Sequence, residues 1–197
     1  MGDCMILLRY GNTNTFYFPA ENGGLLLDTD WAGTLPAFFR ALKQNGLTLD
    51  AISHLLLTHC HGDHMGLAGE LQRRGVTLLV TQEQLPHLHD PDPIFARDSR
   101  LAYVPADETA AEVIPWADSR ARLAALGIAG ELIPTPSHSA DSLSLVLDDG
   151  DCFVGDLEPL SYLAAYEDNP ALAADWQRIL ARHPRTVYHA HANAKTL

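Results

Sequence analysis

A buried-looking strand that runs straight into a dense set of imidazoles and a carboxylate constrains this chain more than any other feature. The segment reads Leu55-Leu56-Leu57-Thr58-His59-Cys60-His61-Gly62-Asp63-His64. Continuous leucines suit a strand covered on both faces. Extended backbone sends alternate side chains to one side, so His59 and His61 point the same way. Gly62 permits a sharp turn, and Asp63 and His64 then fall where a helix begins, with Met65 to Arg73 as its body. Side chains of this kind make poor core, because each needs a hydrogen-bonding partner. Divalent cations satisfy them together. Cys60, between two histidines, is expected to face the other way, into the core.

The surrounding chain can support such a site. At 197 residues, 47% of them apolar, it is long enough for a sizeable core and is read as one domain spanning 1–197. The formal net charge of -12, from 25 acidic and 13 basic residues, repels phosphate backbones, so no nucleic-acid partner is expected. Bound cations would offset part of that charge. No apolar stretch reaches the roughly 18 residues of a membrane span, and the run Cys4 to Leu8 is too short for a secretory signal. Cys4, Cys60 and Cys152 form no CxxC pair, which fits a reduced, cytoplasmic compartment.

Hydrophobic pattern and turn residues predict strands over Met5 to Tyr10, Thr13 to Phe18, Leu25 to Asp28, Ile52 to Thr58 and Val76 to Thr81. Gly11-Asn12 and Asn22-Gly23-Gly24 separate the first three. A helix is predicted over Leu35 to Gln44, with Thr34 as its cap and Pro36 in its first turn. Later elements are a helix over Ser119 to Leu126, strands over Gly130 to Ile133, Ser142 to Leu147 and Cys152 to Val154, a helix over Ala171 to Ala181, and a last strand over Thr186 to Tyr188. Strands that alternate with helices and are themselves fully apolar imply an α/β fold with helix-covered sheets. Residues 82–120, including His87-Leu88-His89-Asp90-Pro91-Asp92-Pro93, are less regular. They read as an insertion forming a lid or pocket wall, with packing or homodimer contact as the alternative.

Three further candidate ligands stand at predicted strand ends. His138 lies in the turn-rich Pro134-Thr135-Pro136-Ser137-His138-Ser139, Asp156 follows Cys152-Phe153-Val154-Gly155, and His191 ends Thr186-Val187-Tyr188-His189-Ala190-His191. Each has a bland alternative. His138 alone reads as a solvated turn histidine and Asp156 as a turn former. His189 competes with His191, since both point the same way in extended backbone. His54, His87, His89 and His183 join no constellation and are read as surface or packing residues.

Taken in order, these pieces resemble the metallo-β-lactamase-fold hydrolase superfamily, nearest its glyoxalase II-related branch. The resemblance rests on Leu26-Leu27-Asp28-Thr29-Asp30, His59-Cys60-His61-Gly62-Asp63-His64, Thr135-Pro136-Ser137-His138-Ser139, Val154-Gly155-Asp156 and Val187-Tyr188-His189-Ala190-His191. It implies an αββα four-layer sandwich with a metal pocket at one edge. It further implies that His59, His61 and His138 surround a first metal, that Asp63, His64 and His191 hold a second, and that Asp156 bridges both. Asp28 would sit beneath the site and orient a ligand histidine. Common β-lactamases carry cysteine where Asp156 stands, which argues against penicillin or cephalosporin hydrolysis. Ser137 replaces a glycine frequent before the family's later histidine, leaving the ligand itself in place.

The resemblance implies a binuclear metal-dependent hydrolase of a small ester, thioester or lactone, acting through a hydroxide that bridges the ions, with Asp63 and Asp156 as its catalytic carboxylates. Histidine-rich mixed coordination favours Zn²⁺, with Mn²⁺ or iron as alternatives. A small-molecule substrate is expected and a membrane is not. Only Ala192 to Leu197 follow the last ligand, so glutathione thioester specificity is not expected. The competing readings are a metal-dependent phosphodiesterase and a mononuclear iron sulfur dioxygenase.

Overall fold

Side chains alternate across strands that are buried on both faces, and that alternation builds three apolar layers. In the computed structural model, which describes residues 5–20, 23–165 and 168–197, Tyr17, Leu26, Leu55, Leu78 and Val80 point outward from the first sheet toward Phe38, Leu42 and Leu71. Their neighbours Phe16, Phe18, Leu25, Leu27, Leu56 and Leu79 point inward and meet Leu132, Leu143, Leu145 and Phe153 of the second sheet. From that sheet Ile133, Val146, Cys152 and Val187 face out toward Leu172, Trp176 and Ile179. Helix, sheet, sheet and helix therefore stack as the expected αββα sandwich, each interface driven by loss of apolar surface to water.

The first sheet runs in chain order: β1 (Ile6–Leu8), β2 (Thr15–Phe18), β3 (Gly24–Leu27), β4 (Ile52–Leu56), β5 (Thr77–Thr81) and β6 (Glu112–Ile114). Its first three strands are antiparallel, and β3 to β6 are parallel. The second sheet orders β11 (Lys195–Thr196), β10 (Thr186–Tyr188), β9 (Asp151–Phe153), β8 (Leu143–Leu147) and β7 (Gly130–Pro134). The helices are α1 (Leu35–Gln44), α2 (Gly62–Met65), α3 (Ala68–Gln72), α4 (Asp92–Phe95), α5 (Ser119–Ala125) and α6 (Pro170–Leu180). Among the described residues, no helix is long and apolar enough to cross a membrane.

Strand direction places the site. The loops after β3, β4, β9 and β10 all leave the C-terminal ends of strands in parallel pairs. β7 points the same way as β9, because both are antiparallel to β8. The sheets are tied together at this edge, where Leu143 N–H donates to Thr58 O at 2.9 Å and Asn14 N–H to Ala190 O at 2.7 Å. In open α/β sheets such an edge is where ligands bind.

Three local differences from expectation have physical causes. The helix predicted over Met65 to Arg73 is broken into α2 and α3 at Gly66 and Leu67. Thr29 draws the bonds a continuous helix would use: its backbone N–H donates to His64 O at 2.8 Å, and its hydroxyl accepts from Leu67 N–H at 3.3 Å. Gly66 allows this contact, since a Cβ there would lie 2.2 Å from Ala32 N. Thr34 makes no side-chain cap on α1; its hydroxyl donates to Trp31 O instead. Segment 82–120 contains β6, which extends the first sheet beside β5, together with α4 and several short 3-10 turns. Cys4 and Asn22 lie outside the described residues.

Candidate metal centre

The loop leaving β4 carries His59 and His61 with their rings turned to the same space, as alternation requires. Their nitrogens Nε2 and Nδ1 are 2.9 Å apart. His138, on the turn after β7, brings Nε2 to 3.2 Å from each of them. Asp156, at the turn after β9, places Oδ2 at 3.9 Å from His59 Nε2 and 3.8 Å from His138 Nε2. Four donor atoms thus face one another, although His138 stands 79 residues from His59 in the chain.

A second set adjoins the first. Asp63 and His64 occupy α2, and His191 follows β10. His191 Nε2 lies 3.2 Å from Asp63 Oδ2 and 3.3 Å from Asp156 Oδ1, while His64 Nε2 lies 3.3 Å from the same Asp156 oxygen. Asp156 therefore presents Oδ2 to one set and Oδ1 to the other. Ring orientation favours exposed lone pairs here. His191 Nδ1 is 3.0 Å from the carbonyl of Asn12, to which it donates, leaving Nε2 free to face the carboxylates. His189 belongs to neither group of donors.

Beneath both sets lies an anchoring network. Asp28 accepts from Thr58 N–H at 2.7 Å and from the Thr58 hydroxyl at 2.8 Å, and its Oδ2 lies 3.0 Å from His64 Nδ1. The backbone of Asp28 has φ 58, a left-handed conformation that aspartate tolerates better than most residues. The Thr58 hydroxyl is also 3.1 Å from His59 Nδ1. Gly155 makes room for it: a Cβ there, at φ +57, would lie 2.5 Å from Thr58 Oγ1.

Other supports hold the ligand loops. Asp141, buried at 5% exposure, accepts from Cys60 N–H at 2.6 Å and from the Ser139 hydroxyl at 2.7 Å, so one carboxylate ties the His59 loop to the His138 turn. Asp175 of α6 accepts from Ser137 N–H at 2.8 Å. The Thr13 hydroxyl donates to Asp63 O at 2.7 Å. Thr58, Asp141, Asp175 and Thr13 were not singled out by sequence reasoning, because a lone polar residue far along the chain carries no local signal of its partner. Cys60 faces the core, as expected.

Among the described residues, the buried atoms His64 Nε2 and Asp156 Oδ1 have no hydrogen-bond partner. They lie 3.3 Å apart. Leaving such atoms bare costs roughly 1–3 kcal/mol each, and a cation between them would remove that cost. The electrostatics point the same way. Burial opposes charge on His64, yet the carboxylates of Asp28 and Asp156 outweigh it and raise the imidazole to about 10. Burial likewise opposes ionisation of Asp156, but contact with His64, with added charge from His191 and His59, holds the carboxyl far below its usual range. The pocket thus stabilises positive charge beside Asp156. Burial, reinforced by the neighbouring His64 and His61, keeps His59 neutral, the form whose nitrogen lone pair ligates metal. A mixed set of imidazoles and carboxylates, with orphaned atoms between them, fits divalent cations.

All seven candidate ligands, His59, His61, Asp63, His64, His138, Asp156 and His191, are brought together, and Asp28 lies against one of them. His54, His87, His89 and His183 are not among them.

Comparison with known proteins agrees with this architecture. A family model described as the metallo-beta-lactamase superfamily matches residues 8–191. The chain is 28% identical over 189 residues to the atrochrysone carboxyl ACP thioesterase of Claviceps purpurea, covering 92% of this chain and 51% of that protein. It is 26% identical over 187 residues to the beta-lactamase-like protein 2 homolog of Drosophila melanogaster, covering 92% and 59%. The chain therefore spans between half and three-fifths of these relatives. Among solved structures, metallo-beta-lactamase family protein TTHA1429 from Thermus thermophilus superimposes with a TM-score of 0.69 at 17% identity, over 98% of this chain and 73% of that one. TTHA1623, crystallised in a di-iron-bound form, gives 0.67 at 24% identity, over 98% and 94%. At those identities the structures establish a common fold.

Proposed function

The chain belongs to the metallo-beta-lactamase superfamily, and from that premise we propose that it is a metal-dependent hydrolase that uses two divalent cations to cleave a small ester, thioester or lactone. One observation carries the reading: the two oxygens of Asp156 face two different donor sets, and the buried atoms between Asp156 and His64 have no other partner among the described residues. His59, His61 and His138 would share one ion with Asp156. Asp63, His64 and His191 would share the other. Zn²⁺ suits this nitrogen-rich mixture best, with Mn²⁺ and iron as the ions to test against it.

When bound, the cations supply Lewis acidity toward a substrate oxygen and lower the pKa of water into the neutral range. The residues themselves do the positioning. His61, Asp63, His138 and His191 reach the open side of the site, while His59 and His64 are buried behind them. Asp63 can orient an attacking water through its carboxylate, and Asp28 fixes the ring of His64 from below. An excess of acidic over basic residues, 25 to 13, disfavours polyanionic substrates and supports an acyl compound over a phosphodiester. The thioesterase name of the Claviceps relative supports the same choice.

The test is hydrolysis by metal-stripped protein supplied with zinc, manganese or iron, across matched aryl esters, thioesters, lactones and a bis-aryl phosphodiester, with oxygen consumption recorded in parallel. Metal-restored acyl hydrolysis is expected. Oxygen-dependent sulfur oxidation without hydrolysis, or cleavage of the phosphodiester alone, contradicts the proposal.

A further inference from the structure

The loop between β1 and β2 reaches from the first sheet to the second and touches both outer ligands of one donor set. Asp63 and His191 come to that set from different sheets, Asp63 on α2 after β4 and His191 after β10. Their side chains are 37% and 40% exposed, so packing alone does not hold them. Hydrogen bonds from residues 12–14 do. Asn12 O accepts from His191 Nδ1–H at 3.0 Å, and the Thr13 hydroxyl donates to Asp63 O at 2.7 Å. Asn14 grips the chain on both sides of His191. Its backbone N–H donates to Ala190 O at 2.7 Å, and its Nδ2 donates to His189 O at 2.9 Å and Ala192 O at 3.0 Å.

The loop is itself anchored. Thr13, 1% exposed, donates its N–H to Oδ2 of the buried Asp30 at 3.0 Å. Gly11 lies against the same carboxylate, where a Cβ would fall 1.8 Å from Oδ2. Asp30 follows β3, so the segment is fastened to the first sheet at one end and to the second at the other. The other donor set draws its supports from elsewhere: Thr58 beside His59, and Asp141 between Cys60 and Ser139.

We infer that Gly11-Asn12-Thr13-Asn14 is the positioning element of the donor set that contains Asp63 and His191, with Asn14 as its central residue. This rests on the two-cation reading above and assigns the control of one ion to one loop. A carboxamide nitrogen carries two hydrogens, one for each of the carbonyls of His189 and Ala192. Held at both ends, the turn keeps the His191 ring where Asn12 O can take its Nδ1–H. That bond fixes the tautomer, so the Nε2 lone pair faces Asp63 and Asp156. A ligand already in place loses less freedom on binding, which tightens the ion it holds.

The test needs no turnover. Metal-free protein is titrated with zinc against a chromophoric chelator, and the two affinities are assigned with His138→Ala, which removes a ligand of the other set. Asn14→Ala should weaken the Asp63 and His191 set by roughly 10–100-fold and leave the other set unchanged. Asn14→Asp keeps the shape and adds a negative charge that by itself favours a cation. It also turns an acceptor toward two carbonyls, so it should weaken the same set. Asn45→Ala deletes a comparable bond, Asn45 Nδ2 to Ala41 O at 2.9 Å beyond α1, and should change neither affinity. In metal-free protein, the amides of 189–192 should exchange faster in Asn14→Ala than in Asn45→Ala. Equal losses at both sets, no loss at either, or tighter binding in Asn14→Asp overturns the inference. A wild type that takes up a single zinc ends the two-cation reading instead. The loop is then judged by exchange alone, and equal rates in Asn14→Ala and Asn45→Ala overturn it.

Discussion

Asp28 Oδ2 lies 3.0 Å from His64 Nδ1, an imidazole with no exposure to solvent. The contact fixes the ring so that Nε2 faces Asp156, and it supplies negative charge that favours a cation there. Asn at this position keeps the left-handed backbone and removes the charge. Asp28→Asn should therefore weaken binding at the Asp63, His64, Asp156 and His191 set by roughly 10–100-fold. Competition against a chromophoric chelator measures it. Unchanged affinity at both sets would remove Asp28 from the site.

Asp141 joins two ligand loops, accepting from Cys60 N–H and Ser139 Oγ–H. Asp141→Ala leaves the buried amide of Cys60 without a partner, at a cost of roughly 1–3 kcal/mol. Asp141→Asn keeps one acceptor oxygen and should lose less. Urea unfolding of both variants, without metal, separates this stability effect from any change in ligation.

His54 offers a pH test away from the metal ligands. Its Nδ1 is 2.8 Å from Ser53 Oγ, and its Nε2 accepts from Arg122 Nη2 at 2.9 Å, with Glu112 3.6 Å away. Burial, helped by the Arg122 charge, lowers its pKa from 6.5. The folded protein thus binds the proton less readily than the unfolded chain. The stability contributed by neutral His54 is full above pH 6.5 and is lost as pH falls below that toward the folded value. Stability of the wild type relative to His54→Gln should fall across that interval. A difference that stays flat or rises would contradict the assignment.

How far the sequence could be read depended on whether a signal was local. Helix α1 follows from its apolar spacing and appears over the predicted Leu35 to Gln44. Helix-covered sheets follow from fully apolar strands, whose alternate residues serve different layers as Leu26 and Leu27 do, while the four-layer αββα order was legible only through the family resemblance. Clustering in the chain made His59 to His64 conspicuous. His191 stood against His189 on motif position, and the fold turns His191 toward Asp63 and Asp156. Strand β6 was not anticipated, since three residues between irregular turns have no period to detect, and the exposed two-residue β11 is shorter still. The break at Gly66 depends on Thr29, which lies 38 residues from Leu67, and the role of Asp141 depends on Cys60, 81 residues away. Such bonds become visible only when strands are assembled into sheets.

Metal stoichiometry in the Asp156→Ala protein addresses the central claim most directly. The wild type, stripped and reloaded with zinc, should bind two equivalents per chain, one for each donor set that shares Asp156. Asp156→Ala should lose tight binding at both sets and lose turnover with it, while His54→Ala, outside the donor cluster, should retain both equivalents. A wild type that binds one equivalent, or an Asp156→Ala protein that keeps two with equal affinity, would contradict a shared carboxylate at the centre of the site.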